Sequence, residues 1–393
     1  MTAFGDEADV ASRERALMDA MFTDRGRSAP AEVAGDLPLP GCRHSFVRQV
    51  LHDPRFEASR MPPSPDLMFQ TVGRFMSRLP ADRHRVLRAR FAGLFTARRV
   101  ERYRTTIADR VHALIDQLPA SATADLVPAF TQPLPFTVLA DVLGVPPDRQ
   151  PWLSTATTTF GEAVARQRDH SQVERGNEAT RQLLDYFHQA LLERRRDPRD
   201  DLLTLLAAGE PPTSEAHADL LANCMFFLLA GHATTSSLLA AGVELLLEHP
   251  EQLALLRAQP ERWPSAVEEL LRYVSPTTLT GSTATTDAVV DGCPVASGVQ
   301  RTLVFAAANR DPDVFDEPGS FDVTRTPNPH LAFSAGAHYC LGAPLARMHA
   351  EIALPALFSR LPGLQLAEPP RWLGSVPVRQ IGSVTVIWGV PEA

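Results

Sequence analysis

The run Phe333-Ser334-Ala335-Gly336-Ala337-His338-Tyr339-Cys340-Leu341-Gly342-Ala343-Pro344-Leu345-Ala346-Arg347 sets one cysteine in a loop of small residues and follows it at once with a helix. Glycines at 336 and 342 remove side chains that would hold a flat group away from the backbone. The helix begins near Ala343-Pro344, where proline suits a first turn. A cysteine just ahead of a helix N-terminus sits in positive potential, which favours thiolate over thiol. A lone thiolate with one open side suits a metal whose other positions are already filled. Burial in a core is the commoner fate of a single cysteine, but here the pattern Phe-x-x-Gly-x-His-x-Cys-x-Gly-x-x-Leu-Ala-Arg is complete.

That pattern resembles the haem-binding loop of the cytochrome P450 family. The resemblance implies a haem b iron held by Cys340, with Phe333, Gly336, His338 and Gly342 beside it. It also implies a mainly α fold with a small β region and a long central helix over the haem. Other stretches match the family in its own order, so the resemblance covers roughly residues 40–390. One domain is expected over residues 1–393, with residues 1–40 as a partly irregular N-terminal extension.

Composition agrees with a globular enzyme and excludes several other classes. At 44% hydrophobic residues the chain supports a sizeable core. Its formal charge is -8, which gives no global basic character and no case for nucleic acid as a partner. The 38 lysines plus arginines are all arginine. Four distant cysteines, Cys42, Cys224, Cys293 and Cys340, have neither metal-ligand spacing nor the density of a disulfide framework. A reducing, cytoplasmic setting fits them. Met1–Val10 carries Asp6, Glu7 and Asp9 and is no signal peptide. Leu220–Leu247 is interrupted by Asn223, His232, residues 234–237 and Glu244, so it reads as a buried helix rather than a membrane span.

The long helix is expected from Ser214 to about His249, after Pro211 and Pro212. Its middle is Ala230-Gly231-His232-Ala233-Thr234-Thr235. Glycine there costs about 1 kcal/mol against alanine, and threonine hydroxyls inside a helix bond carbonyls one turn back. Alone, such a run is more often packing. Beside Cys340 it resembles the family's oxygen-activating segment, which makes Gly231, His232, Ala233 and Thr234 the catalytic candidates and sets Ala230 against the cofactor. One position departs from the family: Ala233 stands where relatives carry an acid linked to proton delivery. Losing such a relay typically costs about 10²- to 10⁴-fold in rate. Waters, His232 or the substrate must then serve, or the reaction must depend less on that proton.

Further motifs follow. His84 and Arg88, at i and i+4 in the arginine-rich helical stretch Ala81–Leu118, share a helix side, and the resemblance makes them holders of haem propionates. The other arginines there, such as Arg83, Arg85, Arg98, Arg99, Arg102 and Arg104, read as a solvated face or as a dock for an acidic electron-transfer protein. Glu269 and Arg272 are either an exposed i,i+3 pair or, by resemblance, a buried structural pair joined by Arg325, with Arg310 as the fallback. Relatives commonly carry a propionate-binding arginine where Ser282 stands, a second departure that leaves His84, Arg88 and His338 to hold the haem.

Substrate contacts are expected from Met68, Phe69, Phe75, Met76, Leu279, Arg379, Gln380 and Ile381, for most of which ordinary core packing is the competing reading. Arg166–Arg175 reads as a lid or a surface turn, and Val376–Trp388 as a terminal hairpin with Gly382 in its middle.

The resemblance implies a monooxygenase that uses dioxygen and two electrons to oxidise a small organic molecule, by hydroxylation or epoxidation, in secondary-metabolite tailoring. Ferredoxin and its reductase are the implied electron donors, with no membrane. Ala233 also admits a peroxide-driven enzyme, or oxidative coupling or rearrangement on the same haem. A haem-based sensor or binding protein is the non-enzyme alternative, and Thr234 argues against it.

Overall fold

A computed structural model describes residues 39–93, 95–119, 123–165, 170–208, 214–374 and 377–389. In chain order its elements are α1 (His44–His52), β1 (Phe56–Ala58), α2 (Leu67–Gly73), α3 (Ala81–Ala92), α4 (Ala97–Asp116), β2 (Thr123–Asp125) and α5 (Pro133–Leu143). Next come α6 (Gln150–Ala165), α7 (His170–Arg196), α8 (Leu202–Ala207), α9 (Glu215–Glu248), α10 (Pro250–Ala258) and α11 (Trp263–Val274). Then follow β3 (Thr280–Ala284), β4 (Ala288–Val290), β5 (Cys293–Val295), β6 (Gln300–Leu303), α12 (Phe305–Ala308) and α13 (Ala343–Arg360). The last are β7 (Gln365–Leu366), β8 (Arg371–Gly374), β9 (Gln380–Ser383) and β10 (Thr385–Ile387). The fold is mainly helical with small sheets.

The described residues fall into two compact units. One takes those within Met1–Glu57, Arg104–Leu134 and Ala233–Ala393; the other takes Ala58–Tyr103 and Pro135–His232.

In the second unit, α9 starts where Ser214 Oγ accepts from the His217 N–H at 3.0 Å, an N-cap that occupies an otherwise orphaned donor. Asp219, nearly buried, receives Arg74 at 2.8 Å and Arg83 at 2.6 Å. Arg83 is therefore a clamp and not part of a solvated face. Asn223 accepts from Met76 N and donates to Arg74 O, which fixes the segment after α2. Asp201 caps α8 by accepting from Thr204 N at 2.8 Å. Residues 170–175, expected as lid or turn, are the first turns of α7; residues 166–169 lie outside those described, as do residues 1–38, Pro211, Pro212 and Val376.

In the first unit, the three-stranded sheet runs β1-β3-β6. Its core contains Phe46, Val47 and Val50 of α1 with Ala284, Leu303, Phe305 and Leu331, and Leu51, Val299 and Ala335 pack against them. Asp291 (φ 51°) and Gly292 (φ 74°) form the two-residue turn between β4 and β5, the primed geometry that matches strand twist. The expected terminal hairpin is corrected. β9 pairs with β8, while β10 pairs with β2 and β7. Gly382 lies inside β9 because the Leu373 side chain covers it: a Cβ there would sit 2.6 Å from Leu373 Cδ2.

α9 is long and apolar enough to cross a membrane, with mean hydropathy 1.4 in its most apolar window, yet 56% of that window is buried in protein.

Candidate functional site

The cysteine loop takes its shape from two backbone positions. Ser334 has φ 60° and Gly336 φ 62°, the left-handed region that glycine enters without strain. Gly336 also lies against the end of α1, where a Cβ would come within 2.2 Å of Leu51 O. The Cys340 N–H donates to Phe333 O at 2.9 Å, which closes the loop. α13 then starts at Ala343 with Gly342 as its N-cap and Pro344 in its first turn. Cys340 is half-buried three residues ahead of that helix, and its neighbours Gly342 and His338 are half-buried as well. Phe333 is buried.

Behind the loop stands a dense polar brace. Glu269 and Arg272, both fully buried, are joined at 2.7 Å through two parallel bonds. Arg325 Nε reaches Glu269 at 3.1 Å, and Asn328 Nδ2 and the Asp322 N–H donate to the same carboxylate. Arg272 spends its remaining donors on the carbonyls of Asn309, Pro318 and Ser320. Arg310 lies elsewhere, over the Tyr273 ring at 4.1 Å. The sequence reading missed a second brace. Glu268 binds Arg347 at 2.6 Å and His330 at 3.1 Å, and the Arg347 guanidinium lies over Phe333 at 4.6 Å from the ring centre. Burial raises Glu268, but the hydrogen bonds from Arg347 and His330 outweigh it and hold the carboxyl at about 2. Leu331 N donates to Asn309 Oδ1 at 2.6 Å, tying the approach to Cys340 onto α12. The only early sign of this second brace was Arg347 at the end of the motif.

The middle of α9 is built differently. Residues 226, 227 and 229–234 are half-buried, between buried stretches at 220–225 and 235–243. A long apolar helix that is half-exposed through its centre leaves room there for something else. Gly231 has a packing reason: a Cβ would sit 2.8 Å from Leu139 Cδ1. The His232 ring meets Phe136 edge-on at 5.6 Å. Ala233 and Ser237, at i and i+4, share a helix side, and Ser237 Oγ donates to Arg379 O. Thr234 and Ala230 are half-buried.

On α3, His84 is buried and Arg88 half-buried, whereas Arg85 and Val86 are exposed. Of the expected substrate contacts, Met68 is fully buried, packed where a Cβ at Gly176 would meet its sulfur, and its N–H donates to Asn177. It is interior packing. Phe75 stacks on Phe226 at 4.7 Å and meets Phe160 edge-on, so it joins the half-buried centre of α9. Phe69 is half-buried and Met76 buried. Leu279 and Ile381 are buried, and Gln380 is exposed. The Arg379 guanidinium stacks on Trp372 at 3.8 Å.

Comparison with known proteins decides the family. The sequence matches the cytochrome P450 family profile over residues 264–362. It is 38% identical to nocardicin C N-oxygenase of Nocardia uniformis subsp. tsuyamanensis over 86% of this chain and 85% of that protein. It is 35% identical to the biotin biosynthesis cytochrome P450 of Bacillus subtilis (strain 168) over 81% and 82%. The chain belongs to the cytochrome P450 family. Among solved structures, P450BioI in complex with acyl carrier protein ligated to hexadec-9Z-enoic acid superposes with a TM-score of 0.83 at 31% identity, covering 96% of this chain and 98% of that one. CxnD, a cytochrome P450 for C–S bond formation in chuangxinmycin biosynthesis, gives 0.81 at 30% identity, with 93% and 95% covered.

As a P450 the protein is a monooxygenase that acts on a small organic molecule with electrons from a redox partner, and its family implies a haem-thiolate iron. The residues present fit that group. Cys340 offers one half-exposed sulfur at a helix N-terminus. Among the described residues no three His, Cys, Asp or Glu side chains gather into a metal site. Cys340 would thus offer a haem iron a single thiolate, with the iron's remaining ligands coming from the haem itself.

Proposed function

We propose that the whole chain acts as one haem b monooxygenase, with Cys340 as the iron ligand, which transfers one oxygen atom from dioxygen to a small molecule in secondary-metabolite tailoring. The observation that carries this is the Cys340 loop: a half-exposed sulfur ahead of α13, set by Ser334 and Gly336 and braced by two carboxylates. When bound, the haem supplies oxygen activation, assisted by electron donation from the thiolate. The protein's own part is holding, screening and proton handling. His84, Arg88 and His338 hold the haem carboxylates. Thr234 Oγ1 holds or passes a proton, and Ala233 contributes none, so protons arrive by water or through the substrate. Leu279 and Ile381 give an apolar wall. The relatives' names point to fatty acyl or polyketide substrates. Exposed arginines such as Arg98 and Arg104 suit an acidic ferredoxin in the cytoplasm.

The test is spectroscopic. Reduced protein under carbon monoxide is expected to give the red-shifted Soret band of a thiolate ligand, lost in Cys340→Ser. A parent protein without that band sinks the ligand assignment. Labelled dioxygen should then appear in product.

A second reading is favoured by Ala233 alone: oxidative coupling or rearrangement, with CxnD, named for C–S bond formation, as a structural neighbour. Product that lacks the label yet requires dioxygen and reductant would select it.

A further inference from the structure

Ala233, Ser237, Ala240 and Glu244 form one stripe along α9, each within about 60° of the next around the helix axis. The strand pair β8–β9 runs beside that stripe. Ser237 Oγ donates to Arg379 O near its start, and Trp372 Nε1 of β8 donates to Glu244 Oε1 at 3.3 Å near its end. The two contacts are joined, because the Arg379 guanidinium lies over the Trp372 ring at 3.8 Å from its centre. A cation over an indole face is held by the quadrupole of the ring. Carboxyl, indole and guanidinium thus make one clasp from the far end of the stripe back to residue 379.

The backbone at residue 379 is tied in turn to the apolar wall. Arg379 N donates to Pro276 O and Thr278 N to Pro377 O, both at 2.9 Å, and Val378 pairs with Thr277. Buried Leu279 follows the first of these segments and buried Ile381 the second. The carboxyl in the clasp is also poised to change charge. Burial raises Glu244 from 4.5 to about 7, Glu248 adds to the rise, and the Trp372 N–H and Arg379 oppose it. Glu248, one turn on in α9, and Arg379, from the strand pair, are the charged groups among the described residues that act on it. Water reaching the carboxyl returns it toward its ordinary value. A closed clasp therefore holds the proton more tightly than an open one, so it is favoured below about 7 and loosens above.

We propose that Glu244 is a positioning residue for substrate: through Trp372 and Arg379 it sets how firmly the Arg379–Ile381 segment is held along the Ala233 side of α9. The proposal rests on the reading that a haem iron at Cys340 serves a substrate space walled by Leu279 and Ile381. Affinity for molecules that fill that space falls as pH rises through the titration of Glu244.

Two ligands of haem iron separate the wall from the metal. 4-Phenylpyridine extends a ring into the substrate space, whereas pyridine ends near the iron. Both are titrated into the haem-loaded parent, Glu244→Gln and Trp372→Phe between pH about 6.5 and about 8.5, read by the Soret shift. In the parent, 4-phenylpyridine is expected to weaken about 2- to 4-fold over that range, beyond any change for pyridine. Glu244→Gln keeps an acceptor for the indole and cannot ionise, so it should hold the parent's low-pH affinity throughout. Trp372→Phe should bind 4-phenylpyridine weakly at both ends of the range, with pyridine binding unchanged. A pH dependence that persists in Glu244→Gln, or that pyridine shares in full, overturns the proposal. Amide hydrogen exchange over residues 377–382, divided by its intrinsic rate, reads the clasp with no ligand. Protection should fall with pH in the parent and stay level in Glu244→Gln; an equal fall in both also overturns it. If neither ligand shifts the parent's Soret band, the haem reading fails and the exchange comparison alone decides Glu244.

Discussion

Glu269 accepts four sets of donors, from Arg272, Arg325, Asn328 and the Asp322 backbone, in a place no water reaches. Ala233, at the half-buried centre of α9, has no polar side-chain atom at all. The first region spends charge to hold a loop still; the second leaves a helix middle open and nearly apolar. The contrast fits the role proposed for each. A metal ligand needs a fixed position, which crossing bonds from several segments provide. A reaction space needs volume and dryness, and a buried charge there would demand a partner that occupies the same volume.

The contrast predicts where damage is greatest. Glu269→Ala strands Arg272 in the core, and an uncompensated buried charge costs about 3–5 kcal/mol. Denaturant unfolding and haem content should show little folded protein; a variant with the parent's midpoint would mean the brace is ornamental.

The second brace should announce itself through pH. Glu268 is held at about 2 against an ordinary 4.5. A carboxyl lowered by folding stabilises fully above its unfolded value and loses that contribution as pH falls through its folded value. Parent stability should therefore drop between about 4.5 and 2. Glu268→Gln should cost about 1.5–3 kcal/mol at neutral pH and flatten the slope in that window, as read by thermal melts at a series of pH values. His349 of α13 contributes at milder acidity, because burial pushes it down to about 4 from 6.5. A base lowered by folding is protonated more readily in the unfolded chain, so its contribution is complete above 6.5 and is lost as pH falls to about 4. His349→Gln should remove that component.

The open region is tested by adding what it lacks. Ala233→Asp should raise dioxygen-driven turnover by as much as about 10²-fold, measured as the rate of product formation with saturating reductant; an unchanged rate would show that protons travel by another path. The smallest effect belongs to Gly231→Ala. Crowding Leu139 costs about 1–3 kcal/mol, against about 1 kcal/mol gained in helix propensity. A modest fall in melting temperature, relieved by Leu139→Ala, is expected.

What the sequence disclosed follows the reach of each interaction. The Phe333–Arg347 loop is contiguous, so its glycines, cysteine and helix start are visible together. Glu269 and Arg272 are one helical turn apart, and the boundaries of α1 and α9 are marked by Asp53-Pro54 and Ser214. Contacts between remote segments were not visible in this way. Glu268 meets Arg347 because α11 packs on α13, and nothing in either stretch announces it. Gly231 was a candidate only by resemblance, and the neighbour that requires a glycine there, Leu139, comes from α5. Gly382 looked like a turn and lies in a strand, because the residue that covers it, Leu373, arrives from β8.

Gly336 seated on the Leu51 carbonyl carries one more consequence, for the order of assembly during synthesis. The ribosome makes α1 early and the cysteine loop late, and the loop's left-handed residues rest against that first helix. A chain emerging from the ribosome cannot settle this loop until α1 and the distant Gly336 have met, a closure of high contact order and thus slow. Closing this loop is then a late event in folding, and a molecule with the loop in place is one whose α1 and cysteine loop have already found each other.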